Sequence, residues 1–322
     1  MALDIKQDVL DRAQGCFLGQ IAGDLLGSLV EFKTREEIER LFPSGLENAM
    51  NSGQVNFLAL QPTDDSEMAL ALARALIKKG RYDKGYVRDS YVRWLDSNPP
   101  DYGFTVEAGL RGTPNIKSQA NGALMRISPL GIFGANQNLE LVASWAREDA
   151  KITHPNPVCV QINELFAMAV AFAIRNGPDV KALYDQIVRW ADERDVEPIV
   201  RDVVIAAEKN PPQDYITHQG WVLIAFQNAL WQLLHAPNFK EAIVDTITQG
   251  GDADTNAAIC GALVGAVYGK RAIPKKWIDI ILNCRAEDVE DPAVKARPRE
   301  YWPVDVMDLA QRLLISGSSC YI

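Results

Sequence analysis

The stretch GCFLGQIAGDLLGSLVEF, residues 15–32, places glycine at Gly15, Gly19, Gly23 and Gly27, one position in every four. That spacing keeps all four on one face of a helix, although each glycine costs a helix about 1 kcal/mol relative to alanine. A helix that carries this cost uses the missing side chains for close approach, so the face must touch something closely. A second stretch, GGDADTNAAICGALVGAVYG at 250–269, repeats the habit through Ala257, Ala258, Gly261, Ala262, Gly265, Ala266 and Gly269. Close helix-to-helix packing accounts for either stretch taken alone.

Outward from these two segments, apolar residues recur at helical spacing and alternating runs are nearly absent. The spacing predicts helices over 8–30, 66–79, 84–96, 138–150, 157–176, 179–191, 195–208, 219–235, 238–248, 254–268, 275–283 and 304–315, an all-α fold. Prolines at Pro43, Pro62, Pro99, Pro100, Pro155, Pro178, Pro211, Pro212, Pro237 and Pro274 punctuate the connections, where they end or start helices. Without a long low-complexity linker or an internal repeat, residues 1–322 read as a single domain.

At 322 residues, 48% hydrophobic and 23% charged, the chain can bury a large core. A net charge of -9 argues against a nucleic-acid or membrane-surface footprint, since phosphates and anionic lipids repel such a surface. Cys16, Cys159, Cys260, Cys284 and Cys320 are odd in number and far apart, which indicates neither a disulfide framework nor a zinc knuckle and points to the cytoplasm. With only His154, His218 and His235 present, any metal must be held by oxygen. The opening MALDIKQDVLDRAQG lacks the layout of a secretory signal. The apolar stretches around 16–30 and 257–268 fall short of the roughly 20 residues of a bilayer span, so no membrane is expected. Cys320, two residues from the end, makes no prenylation box.

Three acidic clusters adjoin the small-residue segments: Glu31, Thr63-Asp64-Asp65, and Asp252-Ala253-Asp254-Thr255. Asp64 can be read as a helix cap, with Glu67 completing a capping box, and Asp252 to Thr255 as a turn and cap after Gly250-Gly251. The alternative is chemical. Carboxylates and hydroxyls at short spacing suit a hard divalent ion such as Mg²⁺ or Mn²⁺. Five carboxylates converging between buried helices would repel one another, and two divalent cations would remove most of that cost.

The segments at 15–32, PTDDSEMALALARAL at 62–76, NGALMRISPLGIF at 121–133, THP at 153–155, GGDADTNAAICGALVGAVYG at 250–269 and RPREYW at 297–302 together resemble the ADP-ribosylglycohydrolase family, in order along the chain. The resemblance implies a compact multihelical fold with two Mg²⁺ or Mn²⁺ ions. It implies that Thr63, Asp64, Asp65 and Asp254 hold one ion and Asp252, Asp254 and Thr255 the other. Glu31 and Asp65 then stand as catalytic candidates, with Asp101 near the acceptor side. Asp24 orders the site without ligating. Asn121, Gly122, Met125, Arg126 and His154 correspond to residues around ADP-ribose, Arg126 being equally readable as a buried structural ion pair and His154 as a satisfied core histidine. Trp221 stands where many bacterial relatives have tyrosine, which bears on the adenine or acceptor contact.

The implied reaction is hydrolysis at the anomeric carbon, releasing ADP-ribose from an ADP-ribosylated protein or other acceptor. Arginine is the expected linkage, with serine, a nucleic-acid base or a small guanidino compound left open, and a monomer is expected. Competing readings are a non-catalytic ADP-ribose binder and a metal-dependent nucleotide phosphohydrolase.

Overall fold

The computed structural model describes residues 5–46, 61–177, 179–287 and 295–318. The opening four residues, Pro178 and Cys320 lie outside them. Among the described residues the chain forms α1 (Gln7–Gly27), α2 (Arg35–Leu41), α3 (Asp64–Lys79), α4 (Lys84–Asp96), α5 (Phe104–Leu110), α6 (Ser128–Phe133), α7 (Leu139–Thr153), α8 (Pro157–Asn176), α9 (Val180–Glu193), α10 (Pro198–Ala206), α11 (Val222–His235), α12 (Phe239–Thr248), α13 (Ala253–Tyr268), α14 (Lys275–Asn283) and α15 (Val306–Ser318). The only β-type pairing among them is two isolated bridges, Thr34 with Gly250 and Ala120 with Trp221.

The two small-residue helices pack on each other. A Cβ added at Gly15 would lie 2.5 Å from the Gly265 carbonyl oxygen, at Gly19 2.2 Å from that of Gly261, at Gly23 2.1 Å from that of Ala257, and at Gly27 2.4 Å from the Asp254 Cα. As numbers rise along α1 they fall along α13, so the helices run antiparallel with their backbones in contact. Side chains longer than hydrogen cannot fit at these positions, which explains why the glycines are tolerated despite their cost. Around this pair, α11 and α12 pack on α13, while α15, α14 and α6 pack on α1. Helix α8 is long and apolar enough to cross a membrane, with a mean hydropathy of 1.7, yet 83% of that stretch is buried against its neighbours. A greasy helix covered on most sides is a core element.

Helix starts follow ordinary capping chemistry. Asp83, Asn138, Asn156, Asp179 and Asn238 each accept a backbone N–H at the first turn of their helices, and Gly80 closes α3 in the left-handed conformation. Three helices were not expected from the sequence: α2, α5 and α6 have seven, seven and six residues, fewer than two full turns, over which a 3.6-residue repeat cannot declare itself. Helix α1 stops at Gly27, ahead of the expected 30, because the chain turns there to pass the start of α13.

The backbone contact gives a direct test. In Gly19→Ala the new Cβ meets a helical carbonyl that cannot swing away, so a loss of about 3 kcal/mol or more is expected, at or beyond the top of the usual overpacking range. The control is Gly85→Ala, whose Cβ meets nothing nearer than an Asp83 carboxylate oxygen at 3.6 Å; replacing a helical glycine there should be neutral or stabilise by up to ~1 kcal/mol. Urea unfolding midpoints of the two variants check both.

Candidate active site

The register of α1 against α13 brings the end of one helix to the start of the other. Beyond Gly27 the chain turns through 28–30 to Glu31, and the next residues are stapled to the glycine loop that precedes α13. The Phe32 N–H donates to the Gly251 carbonyl at 2.7 Å, and the Gly251 N–H donates to the Lys33 carbonyl at 2.9 Å. Gly251 has φ of 69°, and a Cβ there would lie 2.0 Å from the Tyr215 carbonyl oxygen. Phe32, a bulky residue, is itself held at φ of 60°, a conformation that costs on the order of 1–3 kcal/mol. Glu31, Asp252 and Asp254 consequently each present an oxygen within 4.8 Å of the others.

The start of α3 is fixed to the same place by Asp24, a fully buried carboxylate on α1. It accepts from the Thr63 hydroxyl at 2.9 Å, from the Thr63 and Ser66 N–H groups at 3.1 and 3.2 Å, and from the Ser66 hydroxyl. Thr63, not Asp64, is the N-cap of α3, and Glu67 completes no capping box. Glu67 instead receives the Arg297 guanidinium through two 2.8 Å bonds and the Trp94 indole N–H at 2.7 Å, which pins the closing RPREYW segment to α3. Asp252 occupies the N-cap position of α13 without capping it; its carboxylate accepts from the Asn121 side chain at 2.7 Å. The Thr255 hydroxyl donates to Asp65 at 3.2 Å, joining α13 to α3. The other oxygen of Asp65 is buried with no partner. The acids are therefore not consumed in capping.

Asp64, Glu31, Asp252 and Thr255 line a cavity of about 460 Å³, together with Asn121, Gly122, Met125, His154 and the exposed Asp101. Asp65 and Asp254 are buried and Thr63 half-buried, and none of the three lines the cavity. Burial, reinforced by neighbouring carboxylates, pushes Glu31 up to about 8 and Asp64, Asp65 and Asp254 well above the usual range. Asp24 rises to about 6 through burial, against its hydrogen bonds. Among the described residues none of these acids forms an ion pair with lysine or arginine, whereas buried Glu67 and Asp149 each meet an arginine. Oxygen donors crowded at the positive ends of α3 and α13, with one oxygen orphaned and no basic partner, fit hard divalent cations.

The remaining candidates divide. Arg126 does not line the cavity: it is fully buried, 3.3 Å from Asp149 and stacked 4.4 Å from the centre of the Tyr91 ring. Of its two readings the structure shows the ion pair, because the guanidinium finds its acceptors inside the protein. Trp221 lines an adjoining groove with Gln119 and His218, donating its indole N–H to Gln119 at 2.8 Å. His154 is buried in the cavity wall, and burial with the nearby Arg126 charge lowers it to about 3, so it is neutral.

Sequence reading missed two groups. Gln20, whose amide donates to the backbone carbonyls of Asp65 and Met125 at 3.1 and 2.9 Å, ties α1 to both walls; a polar residue inside an apolar helix was the available signal. Phe32, Tyr102 and Phe104 at the cavity mouth belong to a turn and a one-to-two-turn helix, where no periodicity marks a role.

The sequence profile of the family described as ADP-ribosylglycohydrolase matches residues 5–314. The ADP-ribosyl-[dinitrogen reductase] glycohydrolase of Rhodospirillum rubrum is 34% identical over 288 residues, 84% of this chain and 90% of that protein. The ADP-ribosylarginine hydrolase Tri1 of Pseudomonas putida is 28% identical, covering 85% of this chain and 75% of that protein. A solved structure described as an ADP-ribosylglycohydrolase-related protein complex shares the fold, with a TM-score of 0.72 at 24% identity over 98% of this chain and 100% of that one.

The electrostatics predict how stability changes with pH. Carboxyl groups raised above their ordinary value near 4 leave the cation-free folded state holding more protons than the unfolded chain, so stability falls as pH rises from about 4 through at least about 8, where Glu31 titrates. Melting temperatures in EDTA should drop across that window, and Mn²⁺ should raise them more at pH 8 than at pH 5. A metal-free curve that climbs across the window, with no response to Mn²⁺, would contradict this.

Proposed function

The chain belongs to the ADP-ribosylglycohydrolase family, hydrolases of the bond between ADP-ribose and a modified acceptor, and from that premise we propose that it works with two Mg²⁺ or Mn²⁺ ions on ADP-ribosylated arginine in proteins. The observation that carries the reading is that Glu31, Asp64 and Asp252 line one cavity, that Asp254 presents an oxygen within 4.8 Å of those of Glu31 and Asp252, and that among the described residues none of the four forms an ion pair with lysine or arginine. Asp64, Asp65, Asp252 and Asp254, with the hydroxyls of Thr63 and Thr255, are the residues that would hold the ions. Bound there, divalent cations supply fixed positive charge that orients ribose oxygens and acidifies water.

The chain's own groups perform the rest. Glu31, half-buried and raised to about 8 among the neighbouring acids, would give up its proton once cations offset those acids, and its carboxylate is then suited to take a proton from the attacking water. The water oxygen forms the new bond at the anomeric carbon, the bond to the acceptor breaks, and the proton that Glu31 took from the water passes to the departing nitrogen. Asn121, Gly122, Met125 and His154 form the wall along which the ADP-ribose unit lies, and the Asn121 amide holds Asp252 in place.

Arginine as acceptor is supported by the mouth of the cavity. Asp101 is exposed there beside Phe32, Tyr102 and Phe104, the last 88% exposed, and a carboxylate among aromatic faces suits a planar guanidinium cation. The relative in Pseudomonas putida is named for ADP-ribosylarginine. The buried free thiols of Cys16, Cys159 and Cys260 suit a reducing cytoplasm, where we expect a monomer.

Arginine-, serine- and base-linked ADP-ribose offered in parallel, with mass analysis of products, test the reading. Intact ADP-ribose should appear fastest from the arginine conjugate, stop in EDTA and resume with Mg²⁺ or Mn²⁺. Asp64→Asn and Asp254→Asn should each lower turnover by at least about a hundredfold, on the scale of lost transition-state electrostatics, while raising metal-free stability by relieving repulsion. Full turnover in the chelated enzyme, release of phosphate, or ADP-ribose binding without cleavage would each overturn it.

A further inference from the structure

His154 ends a chain of buried groups that the reaction as described leaves unused. On its inner side Nδ1 lies 2.8 Å from the Thr153 hydroxyl, and that hydroxyl accepts from the Arg126 Nη2 at 2.9 Å. Arg126 is itself fixed from every side: Nε donates to Asp149 at 3.3 Å, Nη1 to the Gly122 carbonyl at 3.2 Å, and the Tyr91 ring lies against its face. Tyr91 in turn donates its hydroxyl to Asp149 at 3.0 Å. On its outer side the imidazole Nε2 is buried without a partner, and the ring edge stands against Gly122, where a Cβ would come within 3.1 Å of Cε1. His154 and Gly122 both line the cavity.

We propose that Arg126 and Thr153 are positioning residues that fix His154 with its proton on Nε2, so that the ring offers the cavity a hydrogen-bond donor and selects an acceptor oxygen of the bound ligand. A guanidinium only donates, whereas a threonine hydroxyl has one proton to give. With Arg126 donating to Thr153 Oγ1, that proton has the bare Nδ1 as its acceptor. The opposite tautomer would leave the Thr153 proton and the Nε2 lone pair both unsatisfied in a buried setting, each a costly omission. Because the ring is neutral, the choice between nitrogens decides whether the wall donates or accepts. This deepens the functional reading above and rests on it for the ligand being ADP-ribose; the protonation of the ring does not depend on that identity.

Long-range proton–nitrogen correlation spectra of ¹⁵N-labelled protein, assigned by loss of signals in His154→Asn, read the tautomer without any ligand. Wild type and Thr153→Ser should both show a protonated Nε2 and a bare Nδ1. Thr153→Val should lose this pattern and, in calorimetric titrations, bind ADP-ribose about tenfold more weakly, the scale of one hydrogen bond, while Thr153→Ser stays near wild type. A wild-type ring protonated on Nδ1, or a Thr153→Val ring identical to wild type, overturns the proposal whether or not the enzyme hydrolyses its substrate. A protonated Nε2 in a protein that ignores ADP-ribose supports the ring assignment and sinks the functional reading instead.

Discussion

The backbone contact between α1 and α13 is the constraint on which the rest of the structure depends. Four glycines on one helix and a run of glycine and alanine on the other let two antiparallel helices approach until carbonyl oxygens occupy the space a Cβ would need. Such a contact admits little sliding, since a shift of one residue would drive a side chain into a backbone. It therefore sets the position of α1's end relative to α13's beginning, and Glu31 relative to Asp252 and Asp254. A rigid frame of this kind is what a site built from acids requires, because mutual repulsion would otherwise spread them apart.

The acids cost stability, and the architecture offsets that cost in several ways. Helices α3 and α13 both present their positive ends to the cluster. Asp24 is satisfied by four donors from Thr63 and Ser66 and so secures α3 to α1. Elsewhere buried carboxylates receive arginines, as Glu67 does from Arg297 and Asp149 from Arg126. The contrast is informative. Among the described residues a guanidinium reaches each of those structural acids and none reaches Glu31, Asp64, Asp65, Asp252 or Asp254, the acids to which the proposed cations are assigned. The left-handed Phe32 beside Glu31 adds local backbone strain at the same place.

Much of this was legible in the residues, and the failures have physical causes. Glycine every fourth position announced a close contact, and amphipathic helices such as α9 declared themselves by their periodicity. What spacing left open was the identity of the partner, since small residues along a face say that something approaches and not what. The caps were ambiguous for the same reason: Thr63, Asp64 and Asp252 all sit at helix starts, and only coordinates show that Thr63 caps while Asp252 turns to Asn121. Arg126 was divided between ligand and core, and its neighbours Asp149 and Tyr91, 23 and 35 positions away, carry no local sign of the meeting. The mouth of the cavity was unreadable because α5 is too short to show a pattern.

The central claim is that the glycine contact gathers acids from three parts of the chain around shared divalent cations. The most direct measurement is anomalous diffraction at the manganese edge from crystals grown with Mn²⁺. Peaks among Asp64, Asp65, Asp252 and Asp254, with α1 and α13 in backbone contact, are the predicted result. Anomalous density absent from that cavity at saturating Mn²⁺, or bound at acids elsewhere on the surface, would contradict it.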